Sequence, residues 1–415
     1  MQKNNKIYDV IIIGGGASGM MTGAIAGSRS LSVLIIDKNK NLGEKLKITG
    51  GGRCNITNNE PDLHKFMKVY GDGAPFLYSP FSIFGVKDTF EYFESRGLPL
   101  VIQARNRVFP KTERAIDVYN VLARELSKYK VEIKNSCTLR NINTKENKII
   151  SISTNQGELY AKSYVLATGG MSHPETGSTG DGFVFLKELG HTVIDPTPDV
   201  VPVSVEEDWV KNLAGVSLSF MKIIFYQDGK KQFSKLGKIL FTHFGLSGPL
   251  ILNSAKKIKS LLDNGEVKAC IDLYPDTQIN DVENKIIKVF DLNKNKMLKS
   301  VIKEIVPEGM AASYCQILDF LDLETKVHSV KKEDRKKMAQ LLKAMPLTIT
   351  GLMGYDRSVV ADGGVVLSEI DMKTMRSKVI KNLYVTGDLL NLNRDSGGYS
   401  LQICWTTGYI AGQSI

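Results

Sequence analysis

The stretch Tyr8-Asp9-Val10-Ile11-Ile12-Ile13-Gly14-Gly15-Gly16-Ala17-Ser18-Gly19 decides the fold. The run Ile7–Ile13 that leads into it has the largely apolar character of a parallel strand covered on both faces. Gly14-x-Gly16-x-x-Gly19 then lies between that strand and a helix, the context in which a dinucleotide fingerprint has meaning. The first glycine makes a tight turn, the second lets backbone approach a pyrophosphate, and the third lets helix pack on strand. Small residues over Ser18–Ser28 allow the helix to lie close to the sheet, and its N-terminus, at Ala17 and Ser18, offers free N–H groups to phosphate. Leu31–Asp37 reads as the second strand. Asp37 falls 18 residues after Gly19 and is placed to accept hydrogen bonds from ribose hydroxyls, with Lys38 beside it.

Two later stretches repeat the theme of an apolar strand ending in glycine. Tyr164-Val165-Leu166-Ala167-Thr168-Gly169-Gly170 lies mid-chain, and Asn382-Leu383-Tyr384-Val385-Thr386-Gly387-Asp388 lies near the C-terminus. Three such strand ends in this order predict that FAD, a bipartite dinucleotide, is held by one Rossmann-type sheet. The Asp388 carboxylate is expected at the ribityl or pyrophosphate region. Ser396-Gly397-Gly398-Tyr399-Ser400-Leu401-Gln402 reads as a glycine turn into a last helix. Its N-terminus would face the flavin N1–C2=O edge and stabilise the charge of the reduced ring.

A chain of 415 residues, 42% hydrophobic and 24% charged, has the composition of a soluble globular protein of two or three domains. No apolar run reaches the roughly 20 residues of a membrane span, and the N-terminal run breaks into glycines too early for a secretory segment. Cys54, Cys137, Cys270, Cys315 and Cys404 are scattered, with no C-x-x-C pair. Neither a disulfide framework nor a metal site is expected, and a reducing cytoplasm fits. The net charge of +10 favours anionic partners but does not choose among them.

The order of patterns predicts an α/β protein: a Rossmann-type FAD-binding domain, glutathione-reductase-like, interrupted by a β-rich domain and a helical domain. The expected boundaries are 1–195 for the first part of the FAD domain, 196–279 for the β-rich insert, 280–345 for the helical insert, and 346–415 for the return. Apolar spacing gives a helix at Ala115–Leu126, and 131–165 reads as short strands with a turn at Asn155-Gln156-Gly157. Gln227-Asp228-Gly229-Lys230 signals a hairpin between Lys222–Tyr226 and Gln232–Phe233.

A further set of motifs carries a family resemblance: Gly43-Glu44-Lys45, Thr49-Gly50-Gly51-Gly52-Arg53-Cys54-Asn55-Ile56-Thr57-Asn58, Arg107-Val108-Phe109-Pro110, Gly177-Ser178-Thr179-Gly180-Asp181-Gly182, Phe241-Thr242-His243-Phe244-Gly245-Leu246-Ser247-Gly248-Pro249 and Gly363-Gly364-Val365. Together with the last glycine turn, these resemble the BaiN/YhiN-like NAD(P)/FAD-dependent oxidoreductases along essentially the whole chain. Departures fall at Asp388, Asn391 and Ser400, where the family pattern has Glu, Asp and Asn. The resemblance implies reduction of a conjugated C=C bond, either of uridine in ribosomal RNA or of a 3-oxo unsaturated bile acid or other small enone. It adds Gly51, Gly52, Arg53, Cys54, Asn55 and Asp181 to the expected cofactor contacts.

The chemistry needs a proton donor opposite the hydride. Cys54 is the first candidate, with Arg53 placed to lower its thiol pKa. His243 and Tyr399 are the others; His64, His173, His191 and His328 stand alone and are assigned no chemistry. No second G-x-G-x-x-G occurs, so NAD(P)H is expected as a transient donor entering the substrate's own cleft. Residues 280–345 hold thirteen Lys or Arg against ten Asp or Glu, and lysines cluster near 230–238 and 256–259. This charge tilts the expected partner to ribosomal RNA, with a small enone as alternative and a flavin-binding redox protein without turnover as a third reading.

Overall fold

The N-terminal apolar run becomes an inner strand of a seven-stranded sheet in the computed structural model, which describes residues 6–415. Ile7–Ile13 pairs in parallel with Val33–Ile36 on one side and with the end of Gly157–Leu166 on the other. Leu383–Val385 joins the far edge of Gly157–Leu166, again in parallel, with Val385 opposite Leu166. Ile13 is opposite that same Leu166. Three strand ends separated by more than a hundred residues of sequence therefore finish at one edge of one sheet, as their glycine endings required. The Ala167 N–H donates to Ile13 O at 2.9 Å and the Thr386 N–H to Leu166 O at 3.1 Å, so the pairing runs to the tips.

The helix after the glycine loop, Ala17–Ser28, is buried along nearly its whole length because it is sandwiched between the sheet and the last helix, Tyr399–Ser414. Gly408 and Gly412 make this approach possible. A Cβ at Gly408 would sit 2.5 Å from Ser18 O, and one at Gly412 2.8 Å from Thr22 O. Thr22 Oγ1 donates to Gly408 O at 3.1 Å across the same interface. The amphipathic helix Ala115–Lys128 buries Val118, Val121, Leu122 and Leu126, close to the predicted span. The predicted short strands after residue 131 are present: Glu132–Lys134 extends the parallel sheet, and Leu139–Lys145, Lys148–Thr154 and Gly157–Leu166 form a meander in the same sheet.

The chain divides into two compact units, 1–198 with 355–415, and 199–354. The second unit contains a closed antiparallel barrel in the order Val203–Val205, Gly245–Ser247, Lys230–Thr242, Ser217–Gln227, Val267–Asp272, Met345–Leu352. Its longest hairpin turns at Asp228 and Gly229, both at positive φ (51° and 71°), the geometry of a tight two-residue turn. Two expectations differ here. The helices of 280–345 share one continuous hydrophobic core with the barrel strands, through residues such as Val282, Ile286, Phe290, Met338 and Leu342. Residues 346–352, expected to belong to the nucleotide-binding return, lie in the strand Met345–Leu352, which closes the barrel against Val203–Val205 and Val267–Asp272. Strand pairing this far apart in sequence leaves no local signature. No helix among the described residues is long and apolar enough to cross a membrane, and among them no group of three or more His, Cys, Asp or Glu is arranged to hold a metal.

In the first unit, His191 is fully buried between Glu369 and Ser377. Its Nδ1 lies 2.8 Å from Glu369 Oε2 and its Nε2 2.8 Å from Ser377 Oγ. Burial holds the imidazole below its ordinary value of 6.5, against the opposing pull of Glu369. The unfolded chain therefore takes up this proton before the folded one does. Stability from this group is present above about 6.5 and is lost as pH falls below it. Burial works against the ionised form of Glu369, but hydrogen bonds from Thr192 and His191 outweigh it and hold the carboxyl below its usual range, which acts in the same direction in stronger acid. The urea midpoint is expected to drop between pH 7.5 and 5.5, and His191→Gln to flatten that slope; an unchanged slope would remove His191 from the account.

Candidate cofactor site at the strand tips

Each glycine of the N-terminal fingerprint has a separate steric reason. Gly14 sits at φ +103°, and a Cβ there would lie 2.5 Å from Ala167 O, where the first and mid-chain strand ends meet. A Cβ at Gly19 would lie 1.9 Å from Gly14 O, inside the turn itself. At Gly16 a Cβ would meet nothing within 4 Å, so this position opens onto free space beside the helix N-terminus. No side chain caps that helix and no acid stands in its first turn, which leaves its N–H groups and positive end available to an anion. Asp37 is buried where the second strand ends. Its Oδ2 accepts the Gly15 N–H at 2.7 Å and its Oδ1 the Asn39 N–H at 2.8 Å, so one carboxylate braces both turns. Burial raises its pKa. The carboxylate has lone pairs left for a ribose hydroxyl.

The mid-chain tip is built on the same economy of space. Gly169 is at φ +75° with Ser178 Oγ 3.1 Å from its notional Cβ, and Gly170 faces Asp388 at 3.4 Å. Thr168 Oγ1 is buried with no hydrogen-bond partner, as is Asn55 Oδ1 in the loop after the second strand. Buried polar atoms without partners are rare in folded proteins and mark places where an absent group would bond. Lys38 and Asp181 pair with each other at 2.7 Å, and Lys38 also reaches Thr179, which joins the second strand's end to the helix starting at Asp181. Burial opposes ionisation of Asp181, but Lys38 and Thr179 bring its pKa below the usual carboxylate range.

At the third tip Asp388 is held by two cations: Arg394, and Lys45 at 3.5 Å. Burial alone would raise its pKa; Arg394 and Lys45 overcome that and lower it. Arg394 is buried along its whole side chain. Its Nη1 donates to Leu392 O at 2.6 Å and its Nε to Ser400 Oγ at 3.0 Å. Nothing in the sequence marks Arg394, because a lone arginine in a polar loop gives no sign that it will be buried. Lys45 was visible only within a motif; its Nζ donates to Ser172 Oγ at 2.5 Å and so ties the loop after the second strand to the mid-chain tip.

The last glycine turn packs directly on the strand Thr57–Asn58. A Cβ at Gly398 would be 2.3 Å from Thr57 O, and Asn58 Nδ2 donates to Gly397 O at 3.0 Å. Gln402, fully buried one turn into the helix, accepts from Thr57 Oγ1 at 2.6 Å and Thr89 Oγ1 at 3.0 Å. Leu401 is buried beside it. This second helix is also uncapped, with no acid in its first turn. The residues at the three tips and at these two helix starts thus fit a dinucleotide: an open glycine for the pyrophosphate, an acid at the second strand's end, and unpartnered polar atoms between them.

The three candidate proton donors occupy different settings. Cys54 is completely buried, at φ +59°, and burial pushes its thiol up to about 12 despite a hydrogen bond with Thr49. The expectation that Arg53 lowers this pKa is corrected: the Arg53 guanidinium turns to Gln103 and Glu113, at 2.7 and 2.5 Å, and lies over the Phe109 ring. Gly51 and Gly52, just before it, are exposed and left-handed at φ +67° and +84°. Tyr399 is half-buried, its ring packed on Phe66 and Tyr70 with centroids 5.2 and 6.0 Å away, and burial pushes its phenol up to about 12. His243 belongs to the second unit, exposed in the turn between two barrel strands, its ring edge-on to Phe244.

The chain is similar to known proteins along nearly its whole length. A 3-dehydro-bile acid delta(4,6)-reductase of Clostridium scindens is 28% identical over 411 residues, covering 97% of this chain and 98% of the relative. A ribosomal RNA dihydrouridine synthase of Escherichia coli K12 is 27% identical over 412 residues, covering 98% of each. Among solved structures, a 3-ketosteroid-delta4-(5alpha)-dehydrogenase from Rhodococcus jostii RHA1, in complex with 4-androstene-3,17-dione, has the same fold with a TM-score of 0.56 at 14% identity, covering 100% of this chain and 98% of that one. The family model described as the HI0933-like protein Rossmann domain matches residues 8–414, and the chain belongs to that family of Rossmann-fold oxidoreductases.

Proposed function

We propose that the chain is an FAD-dependent reductase of carbon–carbon double bonds conjugated to a carbonyl, and that its substrate is uridine in 23S ribosomal RNA, reduced to dihydrouridine in the cytoplasm with NAD(P)H as reductant. The observation that carries the enone chemistry is that two near-full-length relatives are named for a bile-acid reduction and for dihydrouridine synthesis, and both names describe saturation of such a bond. Held by the glycine turns, Asp37 and the two uncapped helix starts, FAD would supply the hydride for the carbon β to the carbonyl. The chain's own residues must hold the dinucleotide, exclude water and deliver a proton to the α carbon.

Tyr399 is the proton donor in this reading. Its phenol, pushed up to about 12, stays protonated at neutral pH, and it opens the helix whose N-terminus is uncapped. Cys54 is equally protonated but has no exposed surface through which a substrate carbon would reach it. Tyr399→Phe is expected to lower kcat by about a hundredfold or more with flavin content unchanged, while Cys54→Ala changes kcat by less than about tenfold. The reverse order in steady-state kinetics would return the role to Cys54.

Exposed lysines support the RNA reading. Lys331, Lys332, Lys336 and Lys337 stand on the second unit's surface, as do Lys230, Lys231, Lys256 and Lys257. The second reading, a small enone such as a 3-oxo unsaturated bile acid, is favoured by the Clostridium relative at 28% identity. Mass spectrometry of ribosomal RNA from cells with and without the gene separates the two. A uridine that carries two extra hydrogens only when the gene is present supports RNA; unchanged RNA, with enone-dependent NAD(P)H oxidation by the purified protein, moves the assignment to the small molecule. Flavin binding without either turnover would leave a redox protein that is not a reductase of this kind.

A further inference from the structure

We propose that Arg53 and Arg107, which lie over the Phe109 ring in the first unit, together with Arg105 two residues before Arg107, form a binding site for a phosphate ester. The strand Arg107–Pro110 carries Phe109, and the guanidinium carbons of Arg53 and Arg107 lie 4.4 and 5.9 Å from the centre of that ring. Arg105 stands two residues before Arg107, exposed, on a backbone held left-handed at φ +62° and followed by Asn106 at φ +55°. Two successive non-glycine residues in that region are costly and persist only where their surroundings enforce them. Here the enforcement is visible: Asn58 Nδ2 bonds both Arg105 O, at 3.1 Å, and Gly397 O, at 3.0 Å. The arginine turn is thus fastened to the glycine turn that starts the last helix.

Charge balance within the cluster is incomplete. Glu113 pairs with Arg53 at 2.5 Å, and among the described residues no carboxylate pairs with Arg105 or Arg107. Arg107 Nε spends its bond on Ala104 O at 3.2 Å. Arg53 Nε is buried with no acceptor at all. Burial first, and then repulsion from Arg105 and Arg53, lowers the Arg107 pKa. A buried donor without an acceptor beside like charges is the signature of an anion still to come. Guanidinium groups present forked donors that match the oxygens of a phosphate, and an aromatic floor holds them flat.

Two sources carry this chemistry: a phosphodiester of RNA and the 2′-phosphate that distinguishes NADPH from NADH. Equilibrium binding to the FAD-loaded protein tests the site without turnover, so the site stands or falls separately from the proposed reduction. The probes are a fluorescent uridine decamer, NADPH and NADH, each titrated against the parent, Arg105→Gln/Arg107→Gln, and Arg105→Lys/Arg107→Lys. The Gln pair is expected to weaken one phosphate probe by about tenfold or more, and the Lys pair to recover part of that loss. If the decamer is the one affected, its salt slope falls by about 1 for each phosphate that is no longer neutralised, and the ester is RNA's. If NADPH weakens while NADH holds, the ester is the reductant's. Parent-like binding of both phosphate probes by the Gln pair, with flavin content and melting temperature intact, overturns the site.

Discussion

Protein carrying Gly19→Ala is expected to emerge colourless and less stable by about 3 kcal/mol, at the upper end of the usual range for overpacking a tight site. The added Cβ would meet Gly14 O at 1.9 Å. The obstacle is backbone, so no side-chain rotation relieves it. Either the helix Ala17–Ser28 moves away from the strand or the Gly14 turn opens, and both spoil the cradle. Gly16→Ala is the informative contrast. Its Cβ would meet nothing within 4 Å in the protein, so folding stability should hold while the space meant for the pyrophosphate is filled. Urea denaturation and flavin absorbance on the two variants give a two-way test. Loss of stability for both, or full flavin content for both, would contradict the roles assigned to these glycines.

The second large effect is expected at Arg394→Met. It removes the main counter-charge of Asp388 while leaving that carboxylate largely buried, a change that typically costs about 3–5 kcal/mol. Lys45 remains, at 3.5 Å, and limits the loss. In the parent, Asp388 ionises below its usual range, so its contribution is fully present above about 3.9 and is lost only as pH falls through the depressed value. Without Arg394, only Lys45 opposes burial, so that carboxyl's pKa is expected to rise. The deficit between variant and parent should then be largest at pH 7 and shrink towards pH 5, as protonation relieves the unpaired charge. Asp388→Asn/Arg394→Met should recover part of the deficit at pH 7. A deficit independent of pH would mean that Arg394 acts through packing alone.

The parts of this molecule that could be read from sequence are those whose physics is local. A glycine at a strand end is demanded by backbone geometry at that residue, and all three tips were found that way. Asp228-Gly229 announced its hairpin because both residues must take positive φ. What could not be read depends on partners far away. Thr57–Asn58, Leu100–Gln103 and Arg107–Pro110 form a small sheet whose strands are two to four residues long, too short to show alternation. Met345–Leu352 alternates as a strand should, but nothing in it says which sheet it joins. Arg394 looked like any loop arginine, and its burial follows from Asp388, Leu392 and Ser400 converging on it. Arg53 is next to Cys54 in the chain, whereas its guanidinium pairs with Glu113 on a different segment.

The parallel ladder joining Gly157–Leu166 to Leu383–Val385 has a consequence for how the protein is made. On a translating ribosome, the strand that finishes the nucleotide cradle emerges only after the whole of 199–354 has been synthesised. The barrel with its helices holds its own hydrophobic core and can collapse while the earlier sheet still waits for its last member. Nascent chains stalled before residue 383 should therefore show a protease-resistant barrel but no retained flavin, and cofactor capture would be among the final events of biogenesis.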